Sequence, residues 1–206
     1  MKIIGVTGRV GSGKSEVLNR VSEKYNCRII KADEIARDIQ EPGAECYLSV
    51  VSLIGADCLD SEGRIIRSKM ADVIFNDERI LKEINNVVHP AVKRIISDDI
   101  KAFRENSKCD AVFLESAILL EYGLRDMCDE TWCIFVRDEV RRSRLKASRG
   151  YSDEIIDAIL SRQLSDQELA EGCDRIIDNS DDIEDTMERI GLIWQEKNMP
   201  DSSFSD

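Results

Sequence analysis

One segment, Gly8-Arg9-Val10-Gly11-Ser12-Gly13-Lys14-Ser15, constrains this chain more than any other. A GxxxxGK[ST] run has physical meaning only where a buried strand ends and a helix begins, and both neighbours are present. Residues 2–7 (KIIGVT) read as a short buried strand, and Val17, Leu18 and Val21 follow at helical spacing. In that setting the glycines turn backbone amides toward a polyphosphate at a helix N-terminus, where partial positive charge already lies. The predicted nucleotide-binding set is therefore Gly8, Val10, Gly11, Ser12, Gly13, Lys14, Ser15 and Glu16. Lys14 adds a full charge at the β/γ-phosphates, and the Ser15 hydroxyl suits Mg²⁺, which prefers oxygen ligands. Outside this context the same glycines would mark only a flexible loop.

The remaining apolar runs repeat the strand pattern. Cys27 to Ala32 forms a second strand closed by Asp33, and Ala111 to Leu114, Thr131 to Val136 and Arg175 to Asp178 supply three more. Strands alternating with helices predict an α/β fold with a doubly wound parallel sheet. Gly8, Asp33 and Glu115 then fall at strand carboxyl ends, where such folds gather their ligands. Pro42 and Gly43 break the pattern, and residues 45–106 read as mainly helical, too long for a simple crossover. That stretch is expected to be a helical subdomain inserted within one domain spanning 1–206. His89-Pro90 is placed at the start of its last helix, which carries Val92, Ile96, Ile100 and Phe103. Ser180 with Asp181 and Asp182 starts a final helix with Ile183, Met187, Ile190 and Trp194 on its inner face, and 198–206 reads as a frayed tail.

Charge narrows the ligand. With 29 basic and 41 acidic residues the net charge is −12, so the surface as a whole repels polyanions and nucleic-acid binding is disfavoured. A small anion needs a local concentration of cations, and Arg137, Arg141, Arg142, Arg144, Lys146 and Arg149 supply one within thirteen residues. On a helix Arg141 and Arg144 share one face while Arg142, Lys146 and Arg149 share another, so one set can meet phosphates and the other is solvated. The region 137–170 is accordingly expected to be a helical lid. Seven scattered cysteines without a CxxC pair fit reduced thiols in a cytoplasm, and neither an export signal nor a membrane-spanning run is seen.

Three single residues each carry two readings. Asp33 is either a base that takes the proton of an acceptor hydroxyl or a helix cap. Glu115 is either a carboxylate that reaches Mg²⁺ through water or a solvent-facing strand end. His89 either opens its helix or touches substrate.

Together these residues resemble the dephospho-coenzyme A kinase family, from about Ile3 to Ile190. The glycine loop and Lys31-Ala-Asp-Glu-Ile-Ala-Arg37 are similar to the family's P-loop and second-strand motif, and the resemblance implies that Asp33 is the base. Gly63-Arg-Ile-Ile-Arg67 with Lys69, and Val88-His89-Pro90, resemble its coenzyme A-binding helices. Glu115-Ser-Ala-Ile-Leu-Leu-Glu121 resembles the strand-end segment near both substrates. Arg144-Leu145 with Gly150, Gln163, and Cys173 to Asn179 resemble the lid and the adenine side. The implied activity is ATP- and Mg²⁺-dependent phosphorylation of the ribose 3′-hydroxyl of dephospho-coenzyme A, with Arg144 as the transition-state cation. The sequence departs from the family at Arg9, where glycine is usual, at Ser148, where an arginine is usual, and at Leu169, where a basic residue is usual. Arg149 is the candidate to replace the arginine missing at 148. Another P-loop nucleotide kinase would share loop and lid but not the acceptor segment 45–106. A weakened relative is consistent with the departures. A GTP-dependent switch finds only a DxxG match at Asp60 to Gly63, with no NKxD.

Overall fold

The structure, a computed structural model, describes residues 1–106 and 108–198. Apart from Asn198, the segment expected to fray (198–206) lies outside the described residues. The order of elements is β1 (Lys2–Thr7), α1 (Lys14–Lys24), β2 (Cys27–Lys31), α2 (Ala32–Asp38), α3 (Tyr47–Ile54), α4 (Arg67–Asn76), α5 (Glu78–Asn106), β3 (Ala111–Glu115), β4 (Glu130–Phe135), α6 (Asp138–Arg149), α7 (Asp153–Leu160), α8 (Asp166–Gly172), β5 (Arg175–Asp178) and α9 (Ile183–Asn198). The strands lie in the order β2-β3-β1-β4-β5. β1 pairs in parallel with β3, setting Val6 beside Glu115, and with β4, setting Val6 beside Trp132; β4 pairs in parallel with β5. The expected α/β parallel sheet is present.

The chain forms two compact units, one of Met1–Ile29 with the chain from Cys109 on, the other of Ile30–Lys108. In the first, the strands are continuous apolar runs because both sheet faces are covered. Ile4, Val6, Phe113, Trp132, Ile134 and Ile177 pack with Val17, Leu18 and Val21 of α1 and Met187 and Ile190 of α9. A smaller cluster joins Leu145 of α6, Ile156 and Leu160 of α7, and Val10 of the glycine loop.

The helical unit begins at Ile30, earlier than the expected 45, because α2 packs on α5 along with α3 and α4. Its long helix corrects another expectation. Pro90 does not open α5 but sits inside it, twelve residues past Glu78. A proline there removes one backbone hydrogen bond, at a usual cost of about 3 kcal/mol in a helix interior. The buried stripe Ile84, Val88, Ala91, Val92, Ile96 and Ile100 runs on both sides of it, so packing carries the helix through.

Candidate active site

The loop after β1 is shaped by what surrounds its glycines. A Cβ at Gly11 would lie 2.9 Å from Leu145 Cγ and 3.1 Å from Arg141 Cγ, so α6 can pack on the loop only if that residue is glycine. Gly13 has φ +84°, a left-handed conformation, and a Cβ there would lie 2.5 Å from Asn179 Nδ2. Asn179, just past the end of β5, donates through Nδ2 to the Ser12 carbonyl at 2.8 Å and accepts from Thr186 Oγ1 at 2.9 Å. At this position, expected to lie on the adenine side, the side chain is a buried brace behind the loop. Two of the expected phosphate-facing amides are also bonded inside the protein. The Val10 N–H donates to Gln163 Oε1 at 3.0 Å and the Ser12 N–H to the Arg9 carbonyl at 3.1 Å, so these residues shape the loop.

At the loop's end α1 starts at Lys14 with no side-chain cap, leaving the helix N-terminus to the loop itself. Lys14 Nζ donates to the Gly8 carbonyl at 2.5 Å. Ser15 Oγ donates to Glu115 Oε1 at 3.2 Å, which joins the loop to the carboxyl end of β3. This pair of hard oxygens fits Mg²⁺ held mainly by water and phosphates. Among the described residues no cluster of three or more His, Cys, Asp or Glu side chains forms a metal site. The Glu16 side chain pairs with Arg20 on the exposed face of α1. Beyond Glu115, the segment to Glu121 is tied back by the Ser116 amide to the Val6 carbonyl and by the Glu121 amide to the Ile118 carbonyl.

The six cations of 137–149 divide sharply. On the outer side Arg142 meets Asp138, Asp153 and Asp157, which push its pKa up, with the Asp138 hydrogen bond the largest cause. Lys146 pairs with Asp153, Arg137 with Asp181, and the exposed Arg149 lies over the Tyr151 ring at 5.8 Å. On the inner side Arg141 is wholly buried and donates to Asp166, Val10 O and Val136 O, so the expected lid cation is committed to the protein. Arg144 differs from all of these. Its Nη1 lies 3.5 Å from where a Cβ of Gly13 would stand, and it is buried with no hydrogen-bond partner. Such a donor is costly unless an anion meets it.

The chain matches the family profile described as dephospho-CoA kinase over residues 2–185. It is 35% identical to a dephospho-CoA kinase of Carboxydothermus hydrogenoformans over 195 residues, covering 95% of this chain and 94% of the relative. The chain belongs to the dephospho-CoA kinase family. A Thermus thermophilus protein of known structure superposes with a TM-score of 0.82 at 26% identity, over 96% of this chain and 98% of that one. The dephospho-CoA kinase of Campylobacter jejuni shares the fold at a TM-score of 0.70 and 23% identity, over the same shares of the two chains. The chain is thus a kinase, a transferase of coenzyme A biosynthesis.

The remaining expected residues belong to the helical unit. Asp33 lies in the first turn of α2, two residues beyond β2; the N-cap position is held by Lys31, so Asp33 does not cap that helix. Arg67 donates to Gln40 Oε1 at 3.1 Å and to the Arg37 carbonyl at 3.3 Å, with Glu41 3.8 Å away. Lys69 donates to the Asp57 carbonyl at 2.8 Å. Burial of His89 within α5 lowers its pKa below 6.5 and favours the neutral ring. The residue missed from the sequence is Asp166, and Gln163, read there only as part of the lid, proves to hold the Val10 amide. The one signal for Asp166 is the charged Arg9 where the family has glycine, since such a charge needs a partner.

Proposed function

We propose that the chain transfers the γ-phosphoryl group of ATP to the ribose 3′-hydroxyl of dephospho-coenzyme A, giving coenzyme A and ADP. The observation that carries this reading is the buried, unpartnered Nη1 of Arg144 beside Gly13, a cationic donor waiting at a glycine loop that also carries Lys14. Phosphoryl transfer asks a protein mainly for positioning and for stabilising charge on the transferring oxygens. Gly8, Gly11, Gly13, Lys14 and Ser15 hold the polyphosphate, Lys14 neutralises the β/γ-phosphates, and Arg144 meets the charge that develops as the bond breaks. Ser15, with Glu115 through water, would hold Mg²⁺, which when bound screens the charge of the phosphates. Asp33 accepts the proton of the attacking hydroxyl. Arg67, Lys69 and His89, with Glu121 at the strand end, bind and orient the acceptor.

Small molecules are the partners in this reading. No helix among the described residues is long and apolar enough to cross a membrane. All seven cysteines are free, which fits the reduced cytoplasm we infer for the chain, and burial pushes Cys27 up to about 11 and Cys128 and Cys133 up to about 12, so these three stay as thiols.

Release of ADP from MgATP, measured over a panel of acceptors, tests the reading. Dephospho-coenzyme A should be turned over with formation of a 3′-phosphate, and nucleoside monophosphates should not. Turnover of a nucleotide acceptor in preference to dephospho-coenzyme A would overturn it.

A further inference from the structure

The crest of the glycine loop is held by a set of contacts that reach far along the chain. Asp166, the first residue of α8, accepts from Arg141 Nη2 at 2.8 and 2.9 Å and from Arg9 Nη1 at 3.4 Å. Arg141 passes the constraint on by donating to the Val10 carbonyl at 3.2 Å, while Arg9 donates to the Leu160 carbonyl at 2.6 Å. Gln163 takes the Val10 amide, and the Val10 side chain packs with Leu145, Ile156 and Leu160. The place of Asp166 is itself set locally. Ser165 and Glu168 form a reciprocal capping box, which fixes the first turn of α8 and with it the carboxylate.

Arg141 is wholly buried, and Asp166 is the carboxylate that hydrogen-bonds it, Asp138 standing farther off at 3.9 Å, so Asp166 is the main charge that allows a guanidinium to sit there. Arg144 follows Arg141 by three residues and lies on the same face of α6. We propose that Asp166 is a positioning residue for phosphoryl transfer: by holding Arg141, and through it Val10 and the inner face of α6, it sets the Arg144 guanidinium against Gly13. The proposal rests on the reading of Arg144 as the cation that meets the transferring group. Arg9 is a second, weaker hold on the same carboxylate, which is how this chain accommodates a charge where glycine is usual.

A double-mutant cycle on Asp166→Asn and Arg144→Ala tests it, with kcat and both KM values measured. Asp166→Asn keeps shape and one acceptor but loses the charge, and kcat should fall roughly 10- to 100-fold, the cost of a small misplacement at the reacting centre. KM for dephospho-coenzyme A should stay within about twofold, because the acceptor does not depend on Arg144. In the Arg144→Ala background the same change should lower kcat by less than about threefold, since Asp166 then has nothing left to position. Equal losses in both backgrounds would show a role independent of Arg144 and overturn the proposal, as would a parental kcat in Asp166→Asn. A parental kcat in Arg144→Ala alone would instead overturn the role of Arg144 itself, a failure visible before the cycle is closed. If Asp166→Asn does not fold, Asp166→Glu keeps the charge while moving it by one methylene, and the same cycle is read from that variant.

Discussion

The cations that the sequence singles out in the two compact units are held by different kinds of partner. Around the glycine loop, Arg137, Arg141, Arg142 and Lys146 are all met by carboxylates, whereas Arg149 lies over the Tyr151 ring and the buried Arg144 Nη1 has no hydrogen-bond partner. In the helical unit Lys69 is fixed by a main-chain carbonyl and Arg67 by a carbonyl and a carboxamide, with Glu41 at the edge of ion-pair range. A carboxylate cancels the charge it fixes, whereas a carbonyl fixes a cation and leaves its charge in place. Beside the glycine loop, therefore, the charges of Arg141, Arg142 and Lys146 are cancelled, and Arg144 Nη1 stands next to Gly13 without a carboxylate. Arg67 and Lys69 thus keep most of their charge, while Lys31, Arg64, Arg79 and Arg94 of the same unit pair with carboxylates. The first arrangement suits a compact, highly charged phosphate group, and the second a larger and less charged acceptor.

Changes at the loop should produce the largest effects and should leave the helical unit untouched. Lys14→Met removes a full charge that acts in both ground and transition states, so kcat/KM for ATP should fall by roughly 10³- to 10⁵-fold, on the scale of other cations at transferring phosphoryl groups. Circular dichroism should remain parental. Unchanged kcat/KM would end the assignment of the loop.

Asp33 is where the helical unit should match the loop in importance while differing in kind. Asp33→Asn cannot take a proton, so kcat should fall by roughly 10²- to 10⁴-fold. Binding of MgADP, which depends on the loop, should change by less than about twofold. A lowered melting temperature with near-parental kcat would instead make Asp33 a stabiliser of α2 and erase the distinction drawn between the units.

Legibility in the sequence follows the same division. The loop is a backbone device, and its glycines and its place between KIIGVT and a helical stripe were readable because backbone geometry leaves a local pattern. The strands were readable for the same reason, as short apolar runs covered on both faces. What was misread depended on contacts distant in sequence. Helical spacing separated the inner pair Arg141 and Arg144 from the outer set, but it carries no information about which inner arginine meets a ligand and which meets Asp166. Gln163 reaches Val10 across 153 residues and Asp166 reaches Arg9 across 157, and no periodicity encodes either meeting. Proline usually marks a helix start, but the apolar stripe on both sides of Pro90 outweighs the missing hydrogen bond.

His89 gives a smaller effect, confined to stability and to the helical unit. Its folded pKa is depressed by burial, so the unfolded chain binds the proton more readily. Above pH 6.5 both states are neutral and the residue contributes no pH dependence. As the pH falls below 6.5 the unfolded state gains protons first, and stability is lost until the folded pKa is also passed. His89→Gln should make the decline of Tm between pH 7 and pH 5 shallower than in the parent. An equal slope would show that the ring is as free to protonate in the folded protein as in the unfolded one.

The smallest effect is expected at Arg149, and it decides whether the outer face of α6 takes any part in the chemistry. The family's usual arginine is absent at position 148, and Arg149 is the nearest cation, but one residue along a helix turns a side chain by about 100°. The structure puts the consequence in view. Ser148 is exposed with its hydroxyl on the Arg144 carbonyl at 2.7 Å, and Arg149 is exposed over the Tyr151 ring, on the same outer side as Arg142 and Lys146. An exposed cation–π contact contributes about 0.5–1 kcal/mol, and solvent screens the charge, so little reaches the loop. Arg149→Ala should therefore leave kcat at saturating substrates within about twofold of the parent, with a melting temperature lower by at most a few degrees. Steady-state kinetics at one fixed salt concentration reads the first number and thermal unfolding the second. A fall of tenfold or more in kcat would mean that Arg149 swings inward during turnover and supplies the charge that position 148 lacks; Ser148→Arg introduced into Arg149→Ala should then recover it. With kcat parental, that same Ser148→Arg change made alone becomes the sharper question, because it would add to the outer face a cation that the present protein does without.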